Sequence, residues 1–383
     1  MKCLLVNYEF PPLGGGGGTT SMYIAKSLSK LGHEVRVLTA AHKSIPLYEE
    51  KDGYRVFRIK CRRKLISECS MPEMLSFVLH AAIPMLKQIK KWKPDIIHVF
   101  FALPTGPLGW LARKIFKIPY VVSLLGGDVP GFLPDQIGIH HRILKGISHA
   151  VWKNASHVVA NSSGLCRLAV RTFPDIPVEV ISNGISTQDF YPLAKQPARK
   201  DKLRLLFVAR IAPQKGLMVL LRALSLISID IPKTNIALKI VGEGPDRGMA
   251  EKYICENDLS EMCTFAGWVP LQDLCKTYNE ADVFVLSSVF EGMPSVVLQA
   301  LACGKPVIST KVYGSEDLIE NGKNGFLVDI NSPEQLVSAV KTLYSNPELM
   351  EKMGAYAIET ACRYDWNEIA RCYADIYNIN SVR

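Results

Sequence analysis

The chain of 383 residues is 48% hydrophobic and 21% charged, which is typical of a folded globular protein and excludes a disordered or fibrous one. It is longer than one ordinary hydrophobic core supports, so we expect two domains. Of its 45 basic and 36 acidic residues, 24 and 13 lie in residues 1–190, so this half has a net charge of +11 and the remainder one of −2.

The cysteines and the apolar segments indicate where the protein works. The ten cysteines are scattered without a C-x-x-C pair, which favours a reducing cytoplasm over a zinc site or a disulfide framework. The N-terminal apolar run is too short for a signal peptide. The longest apolar segment, Met74–Leu86, is shorter than the roughly 20 residues of a membrane-spanning helix, so we expect no membrane span.

Two basic clusters flank this apolar segment, Cys61–Lys64 and Lys87–Lys93. Together the three stretches fit an anchor on an anionic membrane surface, which would make the protein peripheral on the inner face of the cell membrane. They fit equally well a buried helix with solvated lysines around it. Nucleic acid is a weaker hypothesis, because no nucleic-acid-binding module accompanies the charge.

The first forty residues predict a strand, a glycine-rich loop, a helix and a second strand, which together form a parallel crossover unit. Further apolar runs predict strands with helical material between them, so residues 1–188 are interpreted as an α/β domain. These strands are Asp95–Phe100, Tyr120–Leu125, His157–Ser162 and Val178–Gly184.

A polar segment with prolines and no periodicity, Ser186–Lys202, indicates a linker. After it the alternation of strands and helices restarts, so the fold class is α/β, with Rossmann-like domains at residues 1–188 and 202–362 facing each other across a cleft. We expect a last helix at residues 363–383 to pack back on the N-terminal domain. One face of it carries Trp366, Ile369, Tyr373 and Ile376.

Three loops follow strands and precede helices, which aims backbone N–H groups and a helix dipole at an anion. They are Gly14–Thr20, Ala209–Gly216 and Glu291–Ser295. The second loop adds Arg210 and Lys215, two cations that suit a diphosphate. Each loop also has an ordinary interpretation, because five glycines form a flexible turn and two exposed cations form a solvated surface pair.

Glu291 is the one acid in the apolar or small-residue stretch Val289–Ser309, and Gln299 stands eight positions after it. Pro294 suits the first turn of the helix that follows the turn at Glu291. An acid at this place accepts hydrogen bonds from sugar hydroxyls while the helix end faces phosphate. Alternatively, Glu291 is only an acidic cap for the helix dipole.

Taken in order, the motifs of the chain resemble those of the family 4 glycosyltransferases, which are retaining, metal-independent enzymes with the GT-B fold. The resemblance covers nearly the whole chain. The motifs are "PPLGGGGG", "LGHEVRVLT", "PDIIHVF", "VISNGI", "FVARIAPQKG", "IVGEGP", "FAGWV", "EGMPSVVLQALACGKPVI" and "NGKNGFLV".

The resemblance implies that Arg210 and Lys215 bind the diphosphate of a nucleotide-sugar donor and that Glu291 contacts the donor sugar. Gln299 replaces a second acid that binds the nucleotide ribose in relatives, and it keeps a carbonyl acceptor while losing the charge. The remaining residues that we expect to contact the donor are Gly15, Gly16, Gly17, Gly242, Gly244, Gly267, Trp268, Met293, Pro294, Ser295 and Val296.

The N-terminal domain also departs from the family pattern. Leu125 stands upstream of Gly126, Gly127 and Asp128, where relatives commonly have a histidine. The acceptor-side role of that histidine therefore does not transfer, and Asp128 is the remaining candidate for positioning the acceptor or the donor sugar. His98, at the end of a strand, is interpreted as a packed or turn histidine.

The function predicted from these features is a retaining transfer of a sugar from a nucleotide-sugar donor to a saccharide or lipid-linked acceptor, in cell-envelope or surface polysaccharide or glycolipid synthesis. No D-x-D triplet occurs, so we expect cationic side chains in place of a metal ion and no cofactor. The nucleotide base, the sugar and the acceptor stay open.

Other functional classes stay open as well. A dinucleotide-dependent oxidoreductase is disfavoured, because Thr19 or Thr20 stands where the last glycine of its fingerprint belongs. An epimerase or phosphorylase on a related scaffold is an alternative, since fold alone does not fix the reaction. A non-catalytic homologue is a third, supported by Gln299 and Leu125 and opposed by Glu291, Arg210 and Lys215.

Overall fold

The structure is a computed structural model that describes residues 1–66, 68–132, 134–193 and 202–381, with backbone alone at residues 134–137 and 379–381. The chain forms two compact units. Unit 1 contains Met1–Asn183 and Trp366–Arg383, and unit 2 contains Gly184–Asp365. The chain therefore leaves unit 1 after Asn183 and returns to it at Trp366.

The strands of unit 1 form one sheet in the order β3-β4-β2-β1-β5-β6-β7-β8, in which every pair is parallel except β3 and β4. They are β1 (Lys2–Val6), β2 (Glu34–Ala40), β3 (Tyr48–Lys51), β4 (Tyr54–Ile59), β5 (Ile96–Phe100), β6 (Tyr120–Leu124), β7 (His157–Ala160) and β8 (Glu179–Val180). The central strands β1, β5 and β6 are almost entirely buried, as expected for a parallel sheet covered on both faces.

Helices connect these strands: α1 (Gly16–Lys30), α2 (Met71–Trp92), α3 (Gly106–Phe116), α4 (Pro134–Asn154) and α5 (Ser163–Thr172). The crossovers from β4 to β8 run across the sheet in one direction, whereas the crossover from β1 to β2 runs in the other. Because such crossovers are right-handed, α2 to α5 cover one face and α1 covers the opposite face. Helix α3 packs between α2 and α4.

Two features of unit 1 differ from the sequence prediction. Helix α1 begins at Gly16, inside the glycine run that was predicted to be a loop, so only the first glycines belong to the turn. The β3–β4 hairpin was not predicted. Its turn, Asp52-Gly53, has φ of +51° and +83°, the left-handed pair that such a dipeptide favours, so the signal was present in the sequence.

Unit 2 has a six-stranded parallel sheet in the order β11-β10-β9-β12-β13-β14. Its strands are β9 (Leu203–Val208), β10 (Ile236–Val241), β11 (Cys263–Gly267), β12 (Val283–Leu286), β13 (Val307–Thr310) and β14 (Gly325–Val328). Its helices are α6 (Leu217–Asp230), α7 (Arg247–Glu256), α8 (Leu271–Asn279), α9 (Ser295–Ala302), α10 (Ser315–Leu318), α11 (Pro333–Ser345) and α12 (Pro347–Cys362).

The start of the predicted linker belongs to unit 2. Phe190 is buried against Tyr278 in one of the cores of this unit, and its amide donates to the Ser186 carbonyl at 2.9 Å. An aromatic side chain anchored in a core excludes a free linker at this point. The rest of the predicted linker, residues 194–201, lies outside the described residues.

The last helix, α13 (Trp366–Ser381), packs beside α1 in unit 1. Trp366 stacks on Tyr23 with ring centroids 5.4 Å apart, and the four residues of the predicted apolar face are all buried. A polar network adds to this packing. The fully buried imidazole of His98, on β5, is 2.6 Å from the Tyr377 hydroxyl and 2.7 Å from the Ser123 hydroxyl. The interpretation of His98 as a packed histidine is confirmed.

Burial lowers the pKa of His98 to about 3, because a charged imidazole is not solvated there. Below the ordinary histidine pKa of 6.5, the unfolded chain binds a proton at His98 that the folded chain does not. The contribution of His98 to stability is therefore fully present above pH 6.5 and is lost as the pH falls towards 3. As the pH falls through this range, we expect the free energy of unfolding of the wild type to decrease by up to about 1.4 kcal/mol per pH unit relative to that of His98→Gln. Urea unfolding at a series of pH values measures both. Parallel stability curves for the two proteins would contradict this assignment.

Candidate active site

The candidate site in unit 2 lies where parallel strands end. Strands β10, β9 and β12 are neighbours in the sheet, so the loops that follow them meet at its carboxyl edge. Backbone hydrogen bonds join these loops. The Ile211 amide donates to the Glu243 carbonyl at 2.9 Å, and the Val289 amide donates to the Gln214 carbonyl at 2.8 Å. The loops therefore hold one another in place.

The structure brings together Lys215 and Glu291, which were predicted separately. Lys215 Nζ donates to Glu291 Oε1 at 2.7 Å, and the Ser288 hydroxyl donates to the same oxygen at 2.7 Å. Both contacts fall on Oε1. The Glu291 side chain is about one tenth exposed and Lys215 about one quarter. An ammonium has three donors, so Lys215 can bind this carboxylate and an anion together.

Glycines let these loops approach each other. A Cβ at Gly216, where φ is +64°, would lie 2.0 Å from the Ser287 carbonyl oxygen. A Cβ at Gly242 would lie 1.9 Å from the Ala209 oxygen, and one at Gly244 would lie 2.2 Å from the Ile211 oxygen. Only glycine fits at these contacts, so Gly242 and Gly244 have a packing reason that is independent of any ligand.

The other predicted residues of this edge lie at the end of β11 or on the loops that follow β9 and β11. Arg210 is exposed and follows β9. Gly267 ends β11, and its carbonyl accepts from the Gly242 amide at 2.7 Å. Trp268 is 72% exposed, which is unusual for so large an apolar side chain and fits a surface that contacts a ligand.

The loop before α9 is covered by the loop after β13. A Cβ at Gly314 would lie 2.7 Å from Met293 Cα, so Gly314 fits closely over this loop. Pro294 is the residue before the first helical residue, Ser295, and not part of the first turn as predicted. Ser295 and Val296 are only half buried, so the amino end of α9 is accessible. Helix N-termini favour negative charge.

Gln299 is buried in the second turn of α9. Its Oε1 accepts a hydrogen bond from the Tyr278 hydroxyl at 2.9 Å, and Tyr278, on α8, is fully buried. A glutamate at this position would accept the same bond. The replacement of the family's acid by Gln299 therefore keeps the contact between α8 and α9 and removes one negative charge.

In unit 1 the glycine-rich loop follows β1. A Cβ at Gly17 would lie 2.5 Å from the Phe101 ring, so packing explains this glycine. A Cβ at Gly15 or Gly16 would meet nothing within 4 Å, so no protein contact explains those two. The Gly15 amide donates to Glu9 Oε2 at 3.4 Å. Burial raises the pKa of Glu9, although this bond favours the ionised carboxylate.

Asp128 is buried in unit 1 and holds two loops together. Its Oδ2 accepts from the Ala102 amide at 2.7 Å, and its Oδ1 accepts from the Leu125 and Gly126 amides at 3.0 Å each. Burial raises the pKa of Asp128 to about 6, despite these three donors. This arrangement favours a role in positioning the two loops, because both carboxylate oxygens already accept hydrogen bonds from backbone amides. The prediction that Asp128 positions a sugar remains a prediction.

Leu125 and Phe101 lie beside the same glycines. A Cβ at Gly17 would lie 3.2 Å from Leu125 Cδ1, so the leucine that replaces the family's histidine packs against the glycine-rich loop. Phe101 has φ of +69°, a conformation that is costly for a residue with a side chain, and its ring lies 5.2 Å from that of Tyr8. An apolar wall therefore borders this loop.

Two family models together match most of the chain. Residues 193–360 match the model of the glycosyl transferases group 1, and residues 15–184 match the model of the glycosyl transferase 4-like domain. An uncharacterised glycosyltransferase of Methanocaldococcus jannaschii is 28% identical over 400 residues, covering 99% of this chain and 98% of the relative. The chain is a family 4 glycosyltransferase.

Solved structures similar to this glycosyltransferase share its fold. Sucrose-phosphate synthase from Thermosynechococcus elongatus is 22% identical with a TM-score of 0.85, and 98% of each chain is covered. HepE from Anabaena in complex with UDP is 19% identical with a TM-score of 0.77, and the match covers 98% of this chain and 99% of HepE. Both likenesses identify the GT-B fold, which confirms the predicted fold class.

Two features are absent from the described part of this glycosyltransferase. Within the described ranges, no three His, Cys, Asp or Glu side chains cluster so as to hold a metal ion. Among the helices whose residues are described, none is long and apolar enough to span a membrane.

Sequence reasoning missed several residues of this glycosyltransferase's candidate site. Ser288 and Tyr278 were not predicted, because their contacts with Glu291 and Gln299 depend on tertiary packing. Glu9 was also missed, although an acid five residues before a glycine run is visible in the sequence. The available signal was the position of this polar residue beside the glycine-rich loop, which was predicted to bind an anion.

We expect Gln299→Glu to strengthen binding of a nucleoside diphosphate by about tenfold, because a carboxylate bonds ribose hydroxyls more strongly than an amide does. Tyr278 would still donate to the new side chain, so the fold should persist. Gln272→Glu, on the exposed side of α8, is the matched control and should leave the affinity unchanged. Calorimetric titration checks the prediction, and equal affinity in all three proteins would place the nucleotide away from Gln299.

Proposed function

We propose that the protein transfers a sugar from a nucleotide-sugar donor to a hydroxyl of a saccharide or lipid-linked acceptor, with retention of the anomeric configuration. The observation that carries this proposal is the Lys215–Glu291 ion pair at the carboxyl edge of the unit 2 sheet. It supplies, within one contact, a cation suited to phosphate and a carboxylate suited to sugar hydroxyls.

The reaction separates a nucleoside diphosphate from the anomeric carbon of the sugar. Negative charge grows on the leaving phosphate as the bond breaks, so donors fixed beforehand lower the barrier. Lys215, Arg210 and the accessible amino end of α9 are the groups we assign to this task. Glu291 holds the Lys215 ammonium through Oε1, and we assign its carboxylate to the sugar hydroxyls.

No metal ion is needed in this proposal, because cationic side chains and helix amides neutralise the diphosphate. The remaining donor contacts are assigned to the loops that end β10 and β11, with Trp268 bordering the nucleotide. The complex of HepE with UDP makes uridine diphosphate the first nucleotide to test. The base and the sugar are to be identified by that test.

For the acceptor, we propose a saccharide or lipid-linked saccharide of cell-envelope or surface polysaccharide or glycolipid synthesis. The acceptor-side residues are assigned to unit 1, where Asp128 positions the loops and Gly15 and Gly16 leave room for a ligand. We place the protein in the cytoplasm, peripheral on the inner face of the membrane. The ten unpaired cysteines, all within the described ranges, and the basic residues 1–190 support this location.

Thermal unfolding with a panel of nucleoside diphosphates and nucleotide sugars, each with and without EDTA, tests the proposal. A ligand that binds only the folded chain raises the melting temperature. We expect one diphosphate and its sugar derivatives to raise it, and EDTA to leave the shift intact. No shift with any of them at millimolar concentration would favour the non-catalytic homologue, and a shift abolished by EDTA would contradict the metal-free donor site.

A further inference from the structure

The outer side of α2 carries large aliphatic side chains in solvent. Leu75, Leu79 and Ile83 are between 59% and 65% exposed, and Met71 begins the same series. They stand four residues apart, so they form one ridge along the helix. The inner side of α2 is buried, including Phe77 and Met85. The helix therefore has a second apolar surface that the fold of unit 1 does not use.

Helix α4 repeats the feature. Ile139, Ile143 and Ile147 are between 42% and 74% exposed and are also spaced by four residues. The sequence analysis did not detect this ridge. Single exposed aliphatic residues are ordinary, but two ridges on the same face of one unit need an explanation.

The two ridges belong to one surface. Helix α3 packs between α2 and α4 on the same face of the sheet, and it adds the exposed side chain of Ile115. All three helices start at the carboxyl edge of the unit 1 sheet and run to its amino edge, since each connects parallel strands. The α2 ridge lies in the half of its helix towards that carboxyl edge, which also carries the glycine-rich loop and the loops that Asp128 joins, and the α4 ridge spans the middle of α4.

Cations accompany the apolar ridges. Lys87 and Lys91 continue the four-residue spacing of α2, and both are exposed. Helix α4 adds exposed Arg142 and Lys145 beside its isoleucines. Helices α2, α3 and α4 contain eight Lys and Arg against two Asp and Glu. Lysines at helix ends also complement the helix dipole, but the dipole gives no reason for exposed leucine and isoleucine.

We infer that the outer face of α2, α3 and α4 binds an anionic lipid bilayer. Aliphatic side chains flanked by Lys and Arg, with few acids, suit the boundary between headgroups and acyl chains. A protein partner is less suited, because protein interfaces are enriched in aromatic residues and depleted of Lys. The inference specifies the surface for the membrane contact in the proposed function, and its test requires no sugar transfer.

Sedimentation of the full-length protein with vesicles tests this inference. The vesicles contain either phosphatidylcholine alone or phosphatidylcholine with phosphatidylglycerol, each at low and high salt. We expect binding to the anionic vesicles that weakens as salt rises. The double variants Leu79→Gln/Ile83→Gln and Ile139→Gln/Ile143→Gln should each lower the membrane partition constant by roughly tenfold or more. Ile229→Gln, at a 77% exposed isoleucine of unit 2, is the matched control and should bind like the wild type.

The outcomes separate the alternatives. Wild-type protein that ignores anionic vesicles, or double variants that bind as well as the wild type, would overturn the inference. A wild-type dimer in gel filtration that the double variants convert to a monomer would also overturn it, in favour of a second copy of the chain. Melting shifts with nucleoside diphosphates, measured without vesicles, should be the same in all variants, so failure of the lipid inference is distinct from failure of the donor site.

Discussion

Replacement of Lys215 by alanine should lower the rate of sugar transfer by about 10²–10³-fold while the fold persists. The variant loses the ammonium that we assign to the leaving diphosphate. It also takes the ammonium away from the Glu291 carboxylate, which is about one tenth exposed and still accepts from the Ser288 hydroxyl. We therefore expect a stability loss of about 1–3 kcal/mol. Steady-state transfer rates and urea unfolding check the two effects.

Lys239→Ala is the matched control for Lys215→Ala. Lys239, on β10, pairs with Glu280 at 2.8 Å in the same unit, but it precedes the carboxyl edge of the strand. Its loss removes one cation of equal charge and one ion pair, so the transfer rate should change less than twofold. Equal rates for wild type and Lys215→Ala would contradict the placement of the donor diphosphate. Equal losses in both variants would show a general electrostatic effect.

Gly216→Ala should be among the most destabilising single substitutions in unit 2, at about 3 kcal/mol or more, and should abolish detectable transfer. The new Cβ would lie 2.0 Å from the Ser287 carbonyl oxygen, so the loops after β9 and β12 must separate. That separation moves Lys215 away from Glu291, because these two residues stand on the two loops. Urea unfolding and transfer rates measure the result.

Gly322→Ala separates the two causes of this effect. Gly322 has φ of +82°, similar in sign to Gly216, but a Cβ there would meet nothing within 4 Å. Its alanine variant should cost only about 1–2 kcal/mol, the penalty of a left-handed conformation, and should keep its transfer rate. If both glycine variants lose the same stability, the close approach of the loops is not the cause.

Much of the fold could be predicted, because buried parallel strands are continuous apolar runs. The runs at Leu4, Ile97 and Phe207 identified central strands of both sheets, and the four-residue face of α13 identified its packing side. The hairpin at Asp52-Gly53 was missed, although its turn dipeptide is a strong signal. The glycines at the start of α1 were assigned to a loop, because glycine has a low helix propensity. They are helical in the folded chain, where Gly17 packs closely against the Phe101 ring.

The candidate site could be predicted in part. Residues on loops after strands, such as Lys215 and Glu291, were found because that position faces ligands in parallel sheets. Their direct contact was not predicted, since it joins residues 76 positions apart. The hydrogen bonds of Asp128 to three backbone amides were not visible in the sequence either. They favour a role in positioning the two loops over direct contact with a sugar. The exposure of the α4 ridge depends on packing that sequence periodicity does not resolve.

The most direct test of the central claim combines pure protein with the nucleotide sugar that raises its melting temperature, together with simple saccharide acceptors. Phosphorus NMR follows release of the nucleoside diphosphate, and proton NMR reports the anomeric configuration of the product. We predict release of the diphosphate and a product with the configuration of the donor, both greatly reduced in Lys215→Ala. Intact nucleotide with an epimerised sugar, or no turnover of any donor, would contradict the assignment as a retaining sugar transferase.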